Sequence, residues 1–280
     1  MDFSIASYSF HRLLESGQQD MFKYITDCKE LGCTHLDPWN GHLEPLVKET
    51  KAFIGGRNTV RPQFSPGGLD YAKRVREAVD EAGLPVACLA VDGAHIWAES
   101  PQERHINRMN AYRWLDVAEI LGAQNMRVDT GGTPDMPDEQ FEIIVEGYKD
   151  IIARAAAKKI GIVLENHWGA SNIPANVVKV IEAVPGLGLL FDTNNWAEGM
   201  REEGWSTCAQ YAKSVHIKTR EFNDEGEDPT TDIPRVIRLL VAAGYDGVWG
   251  IESVPIDGDE YGAAKKTMTL IQKTLEERYV

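Results

Sequence analysis

The sequence predicts an α/β fold: a closed (β/α)₈ barrel formed as a single domain over residues 1–280. Three observations carry this prediction. A unit of amphipathic helix, glycine and short apolar strand recurs along the chain. Counting these units gives eight strands alternating with eight helices, the pattern of a parallel sheet covered by helices. No GxGxxG follows the first strand, which weakens the alternative, an open doubly wound sheet that binds a dinucleotide.

Residues 3–10 (FSIASYSF) read as the first strand and 21–31 as a helix ending at Gly32. Residues 35–37 form a short strand candidate. The stretch 38–66 is irregular, with glycines and prolines and room for a short helix at 43–51; a connection of this length suggests a lid or a subunit contact. Ala72, Val75, Val79 and Ala82 give 69–82 one apolar helical face, and 85–91 is a strand. Ser100-Pro101-Gln102-Glu103 is a capping-box start to a helix running to about Leu121. Residues 125–128 form a strand, 137–158 a helix, 162–164 the fifth strand and 173–184 a helix. Then come a strand at 187–191, a weaker helix at 196–212 interrupted by Gly199 and Gly204, and a strand at 214–217. A helix at 232–243, a strand at 247–251 and a helix at 259–278 complete the series. Gly32, Gly83, Gly122, Gly161, Gly186 and Gly244 stand just past helix ends, where glycine takes the left-handed conformation without a Cβ penalty.

The net charge of −14 opposes attraction to nucleic-acid phosphates and anionic membranes. No basic segment leads from Met1-Asp2 into an apolar run, and no apolar stretch approaches a membrane span, so a cytoplasmic location is expected. Cys28, Cys33, Cys88 and Cys208 form no CxxC pair and read as reduced, buried thiols.

The chemistry concentrates between residues 162 and 253. Four apolar runs there end in Glu165, Asp192, His216 and Glu252. In a barrel these are consecutive strand ends, five to eight, on the face where such folds keep their active sites. One imidazole and three carboxylates make a hard, oxygen-rich donor set for one divalent ion, with Mn²⁺ first and Mg²⁺, Co²⁺ and Zn²⁺ as alternatives.

The motifs LENHWG (164–169), FDTNN (191–195), VHIKT (215–219) and GIES (250–253) also carry a resemblance. The chain resembles the xylose-isomerase-like TIM-barrel superfamily, in particular its sugar phosphate isomerase/epimerase group, over essentially its whole length. The resemblance implies a single divalent metal on Glu165, Asp192, His216 and Glu252. It also implies proton transfer on a sugar through an enediol or related carbanion, with Glu165 and Glu252 as both ligands and acid–base groups. The family's ketose 3-epimerases carry a further glutamate six positions after the first ligand and a histidine three positions after the aspartate. Here those positions are Ser171 and Asn195.

Strand alternation places His167 on the side of Glu165, as a separate base, a substrate partner or a packed histidine. Lys218 should face the same cavity and stabilise an oxyanion, or pair with a neighbouring acid. Arg220, Asp37, His95 and Arg127 are candidate substrate contacts at strand ends, and Asn195 belongs to the same rim. Asp92 and Asp129 read as loop-turn acids. Tyr8, Trp39, Trp97, Trp168 and Trp196 are expected near the mouth, where indole faces suit sugar C–H faces.

The function expected is a metal-dependent sugar isomerase or epimerase acting on a carbohydrate, without nucleic-acid or membrane partners and with homo-oligomerisation open. The alternative is a lyase or dehydratase on a keto-sugar, keto-inositol or 3-keto-glycoside. An AP endonuclease and a non-catalytic sugar-binding subunit rank lower.

Overall fold

The structure, a computed structural model, describes residues 1–46, 53–54, 57–58 and 66–277. In chain order the strands are β1 (Phe3–Ile5), β2 (Phe53–Ile54), β3 (Arg57–Asn58), β4 (Cys88–Val91), β5 (Asn125–Val128), β6 (Gly161–Glu165), β7 (Leu187–Asp192), β8 (Ala212–Thr219) and β9 (Trp249–Ser253). The helices are α1 (His11–Glu15), α2 (Met21–Glu30), α3 (Pro66–Ala82), α4 (Pro101–Leu121), α5 (Asp138–Ala156), α6 (Pro174–Ala183), α7 (Arg201–Cys208), α8 (Ile233–Ala242) and α9 (Glu260–Glu276).

Seven strands form one curled parallel sheet in the order β1-β9-β8-β7-β6-β5-β4, and β2 and β3 pair separately as an antiparallel ribbon. The strand expected at 35–37 is present only as isolated bridges, Ala6 to Asp37 and Leu36 to Val86, which touch both edges of the sheet. Pro38 and Pro85 flank this contact. Neither has the N–H that a continuous ladder would use.

Strand alternation sorts the packing. Ile162, Leu164, Leu189 and Phe191 belong to the large core between sheet and helices, while Cys88, Val163 and Leu190 form a small second cluster. Val163 shares a face with Glu165, and Leu190 with Asp192, so this second cluster is an apolar floor beneath those two carboxylates. The helices bury the faces their spacing predicts, as in α8 with Ile233, Val236, Ile237 and Leu240. At α4 the Ser100 side chain accepts from the Glu103 N–H, completing the capping box, and Gly122 closes the helix at φ +69°.

Several boundaries differ from expectation for physical reasons. The first strand stops at Ile5 and gives way to a 3-10 turn (Ser7–Phe10) and to α1. Ser9 Oγ donates to Ile251 O at 3.3 Å and accepts from Ser253 N at 3.0 Å, so a side chain makes the link to β9 there. The helix expected over 196–212 is only α7 followed by a 3-10 turn (Ala209–Tyr211), because Gly199 takes φ +77° before it. Gly161 is not a left-handed cap: Lys159 takes the positive φ (57°), and Gly161 opens β6, where a Cβ would lie 2.3 Å from Asn125 Oδ1. Of the helix expected at 43–51, residues 43–46 fall in a 3-10 segment (Asn40–Leu46) that is kinked at Leu43. Residues 47–52, 55–56 and 59–65 lie outside the described residues, and the lid expected over 38–66 largely falls there. All four cysteines are free and buried. Among the described residues no helix is long and apolar enough to cross a membrane.

His42 is buried, with Nε2 3.1 Å from Gln19 Oε1, and Gln19 Nε2 donates to Asp27 Oδ2 at 2.7 Å. Burial lowers the imidazole pKa from 6.5 to about 4. The unfolded chain therefore binds a proton that the folded chain refuses between those two values. Stability should fall as pH drops from about 6.5 towards about 4, by up to about 3 kcal/mol. His42→Gln is expected to remove this one-proton slope, as read from urea midpoints measured across the same pH range.

Candidate metal centre

The parallel register sets the site. β7 and β8 pair Asp192 with His216, β8 and β9 pair Lys218 with Glu252, and β6 ends at Glu165 opposite Leu190, two residues before Asp192. Four neighbouring strands thus deliver Glu165, Asp192, His216 and Glu252 to one place. All four are buried, and one potential ligand atom from each lies within 4.8 Å of the others.

The polar atoms there are not mutually satisfied. His216 Nδ1 approaches Glu252 Oε2 at 2.7 Å and Glu165 Oε1 at 4.0 Å, yet it makes no hydrogen bond of acceptable geometry. Asp192 Oδ2 is likewise buried without a hydrogen bond, although Lys218 Nζ stands 3.1 Å away at an oblique angle. Among the described residues, six carboxylates (Asp37, Asp92, Asp129, Glu165, Asp192 and Glu252) gather round Arg127 and Lys218, with His167, His216 and Arg220 beside them. Five of the six, all but Asp92, are buried, and buried carboxylates that outnumber the cations beside them favour a further cation. A divalent ion fits the donor set and two of its orphaned atoms, Asp192 Oδ2 and His216 Nδ1, so this buried cluster could hold one.

The local fields follow from the contacts. Burial raises the Glu165 carboxyl against the pull of His167 and Arg127. Burial also works to raise Glu252, but Lys218 and His216 outweigh it and hold that carboxyl well below the usual range. Lys218 Nζ lies 2.6 Å from Glu252 Oε1, and the surrounding carboxylates keep it charged despite burial. Burial disfavours charge on His167, but Glu165 and Asp129 lift it to about 9.

A cavity of about 250 Å³ opens over the cluster. Glu165, His216, Glu252, His167, Lys218, Tyr8, Asp37, Trp39, Arg127 and Arg220 line it, while Asp192 lies behind the lining with no exposed surface. Asn195 is outside the lining but bridges the site: its Nδ2 donates to Glu165 Oε1 and its Oδ1 accepts from Lys218 Nζ, both at 3.1 Å. Arg127 Nη1 donates to Asp92 and Asp129 at 2.9 Å, while its Nε stands 3.1 Å from Glu165 Oε2 without hydrogen-bonding geometry. Trp168 donates to Asp129 at 3.3 Å and its ring meets His95 edge-on, both away from the lining. Ser171 is buried, where its Oγ accepts from His167 N.

Two expectations change. Trp196 is not at the mouth; its ring packs on Phe191 and across Gly204, where a Cβ would lie 2.4 Å from the indole. Trp97 also lies off the lining. Asp92 and Asp129 are not free turn acids: they clamp Arg127, and Asp92 accepts from Trp39 Nε1 at 2.8 Å. The spacing of two between Arg127 and Asp129 on one strand face is the signal that could have found this pair.

A parallel α/β sheet with a carboxylate–imidazole cluster at the ends of adjacent strands defines a class of proteins with a metal-capable site at the sheet's carboxyl edge. The family model of the xylose isomerase-like TIM barrel matches residues 25–273, and the chain belongs to that family. No curated protein matches the chain. Among solved structures, L-ribulose 3-epimerase aligns with a TM-score of 0.74 at 15% identity, covering 99% of this chain and 95% of its own. A probable 3-DHS dehydratase from Bacillus anthracis aligns at 0.71 and 12% identity, covering 97% of this chain and 99% of its own. The 3-keto-D-glucoside 4-epimerase of E. coli aligns at 0.68 and 16% identity, covering 91% of this chain and 95% of its own. At these identities the likeness is one of fold.

Adding Mn²⁺ or Mg²⁺ to chelator-treated protein is expected to raise its melting temperature in step with ion concentration. The stabilisation should reach about 2.7 kcal/mol at a hundredfold excess over Kd. Asp192→Asn should lose most of this response in a thermal-shift series; an undiminished response would place the ion elsewhere.

Proposed function

We propose that this chain is a divalent-metal-dependent isomerase or epimerase that moves a proton on the carbon beside a carbonyl of a sugar or sugar derivative. The observation that carries the reading is the convergence of four ligand atoms within 4.8 Å under a cavity of about 250 Å³. That volume lies just below the usual range for drug-sized ligands, about 300–1,000 Å³, and so suits a small molecule. Two of the structures it resembles are named as sugar epimerases.

Glu165, Asp192, His216 and Glu252 are assigned as ligands, with manganese first among the candidates. An ion held there would polarise a substrate carbonyl and acidify the neighbouring C–H. Glu165 and Glu252 both line the cavity and are assigned the removal and return of the proton. Lys218, also on the lining, is assigned to the oxygen that gains charge as the proton leaves. Asn195 fixes Glu165 and Lys218 relative to each other through its two hydrogen bonds. Tyr8 and Trp39, packed edge-to-face at 5.2 Å, offer an aromatic wall to C–H groups, and Asp37, Arg127 and Arg220 complete the polar lining. His95 and Trp168 support that lining through Asp129.

One observation favours a second reading, elimination from a keto-sugar, keto-inositol or 3-keto-glycoside. His167, 3.4 Å from Asp129, gives the cavity a third acid–base group, which an elimination needs to protonate its leaving group. A structural neighbour is named as a probable dehydratase.

Glu165→Gln and Glu252→Gln should each lower kcat by about 10²–10⁴ while far-UV circular dichroism stays unchanged. With a keto-sugar in D₂O, epimerisation adds deuterium to a product of otherwise unchanged composition, whereas elimination releases water or an aglycone. Full turnover by chelator-treated enzyme would sink both readings.

A further inference from the structure

Asp37 stands on the segment that bridges β1 through Ala6, and it is buried. Its N–H donates to Tyr24 Oη at 2.8 Å, and Tyr24 donates in turn to Ile5 O at 2.6 Å, so α2 and β1 hold the residue in place. Its Oδ2 lies 3.1 Å from His216 Nε2. Across the ring, Nδ1 has no hydrogen bond and faces Glu252 and Glu165. The two nitrogens of His216 therefore look in opposite directions, one towards Asp37 and one into the ligand cluster.

Gly250, on β9, leaves room for this pair. A Cβ there would lie 2.2 Å from Val215 O and 3.3 Å from both Asp37 Oδ2 and His216 Cδ2. The backbone contact at 2.2 Å cannot be relieved by moving a flexible side-chain end, so position 250 has to stay without a side chain while the imidazole and carboxylate keep this alignment.

We propose that Asp37 is a positioning residue that sets the tautomer and orientation of His216. Accepting the Nε2–H keeps that proton on Nε2, leaves the lone pair of Nδ1 for the metal, and prevents the ring from turning over. A carboxylate behind a ligating imidazole also makes the ring a stronger donor. The inference rests on the reading of Glu165, Asp192, His216 and Glu252 as a metal site.

Wild type, His216→Ala, Asp37→Ala and Asp37→Asn can be stripped with chelator and titrated with Mn²⁺ by calorimetry. The same proteins, labelled with ¹⁵N-histidine and loaded with Cd²⁺, report through NMR which ring nitrogen couples to cadmium. Asp37→Ala should bind Mn²⁺ about 10–100-fold more weakly than wild type. Asp37→Asn keeps a carbonyl acceptor without the charge and should lose less than about tenfold, with a shifted Nε2–H resonance. In wild type, cadmium should couple to Nδ1 while Nε2 carries the proton. Coupling through Nε2 would overturn the proposal, as would an Asp37→Ala affinity equal to that of wild type. Should Asp37→Ala fail to fold, the isosteric Asp37→Asn decides: unchanged affinity with an unchanged Nε2–H resonance overturns the assignment. A wild type that binds neither ion sinks the metal reading and this role with it. Loss in His216→Ala without loss in Asp37→Ala sinks the Asp37 role alone.

Discussion

The constraint on which this structure depends is the burial of like charge. Five buried carboxylates (Asp37, Asp129, Glu165, Asp192 and Glu252) gather at the carboxyl edge of the sheet, with the apolar floor of Cys88, Val163 and Leu190 beneath Glu165 and Asp192. Isolated carboxylates in such surroundings would cost several kcal/mol each, so every one of them has to be answered by a cation or a donor. Arg127 answers Asp129 and stands 3.1 Å from Glu165, and Lys218 reaches Asp192 and Glu252. Backbone donors complete part of the set: the N–H groups of Asn194 and Asn195 both donate to Asp192 Oδ1, at 2.6 Å and 2.9 Å. The remaining lone pairs on Asp192 Oδ2 and His216 Nδ1 are where this cluster could hold a cation.

The scaffold meets this constraint by rigid means. Parallel pairing of β6 to β9, with one register shift between Leu189 and Leu190, brings the four strand ends to one place. Glycines admit what side chains would block. Gly250 lets the imidazole sit beside Asp37, and Gly204 lets the Trp196 ring close the back of α7 against Phe191. Asn166 Nδ2 donates to Asp192 O while Asn166 Oδ1 accepts from Asp192 N, a reciprocal pair that ties the end of β6 to the end of β7. The site is therefore built on strands with hydrogen-bonded supports, the arrangement that keeps reactive groups in register.

What was legible in the sequence is what local chemistry encodes. The capping box at Ser100 and Glu103, the strand Asn125–Val128 and the strand-end places of Glu165, Asp192, His216 and Glu252 all follow from short-range pattern. Contacts whose partners are remote in sequence were not legible. Nothing near Leu36 reveals that Pro85 will face it and leave bridges in place of a ladder. Nothing near Asp92 reveals that Arg127 and Trp39 will both bind it. Trp196 looks like a rim aromatic until Gly204 provides the hollow it fills. Periodicity could decide which face a residue occupies, but the partner on that face is chosen by tertiary packing.

The same charge argument distinguishes two clusters that residue type alone would treat alike. Asp129, Glu165 and His167 also bring potential ligand atoms within 4.8 Å of one another. There, however, a guanidinium already stands between the acids, with Nη1 of Arg127 donating to Asp129 Oδ2 at 2.9 Å and its Nε 3.1 Å from Glu165 Oε2. A planar, permanently charged fork supplies the compensation an ion would otherwise bring, and its charge repels a second cation. At Asp192 and His216 no side chain supplies that compensation in hydrogen-bonding geometry. Glu165 belongs to both clusters: one of its oxygens faces Arg127 and the other faces Asn195 and His216. The arginine thus places its charge on the Asp129 side of Glu165, and among the described residues the side where the four strand ends meet is the one that could better hold an ion.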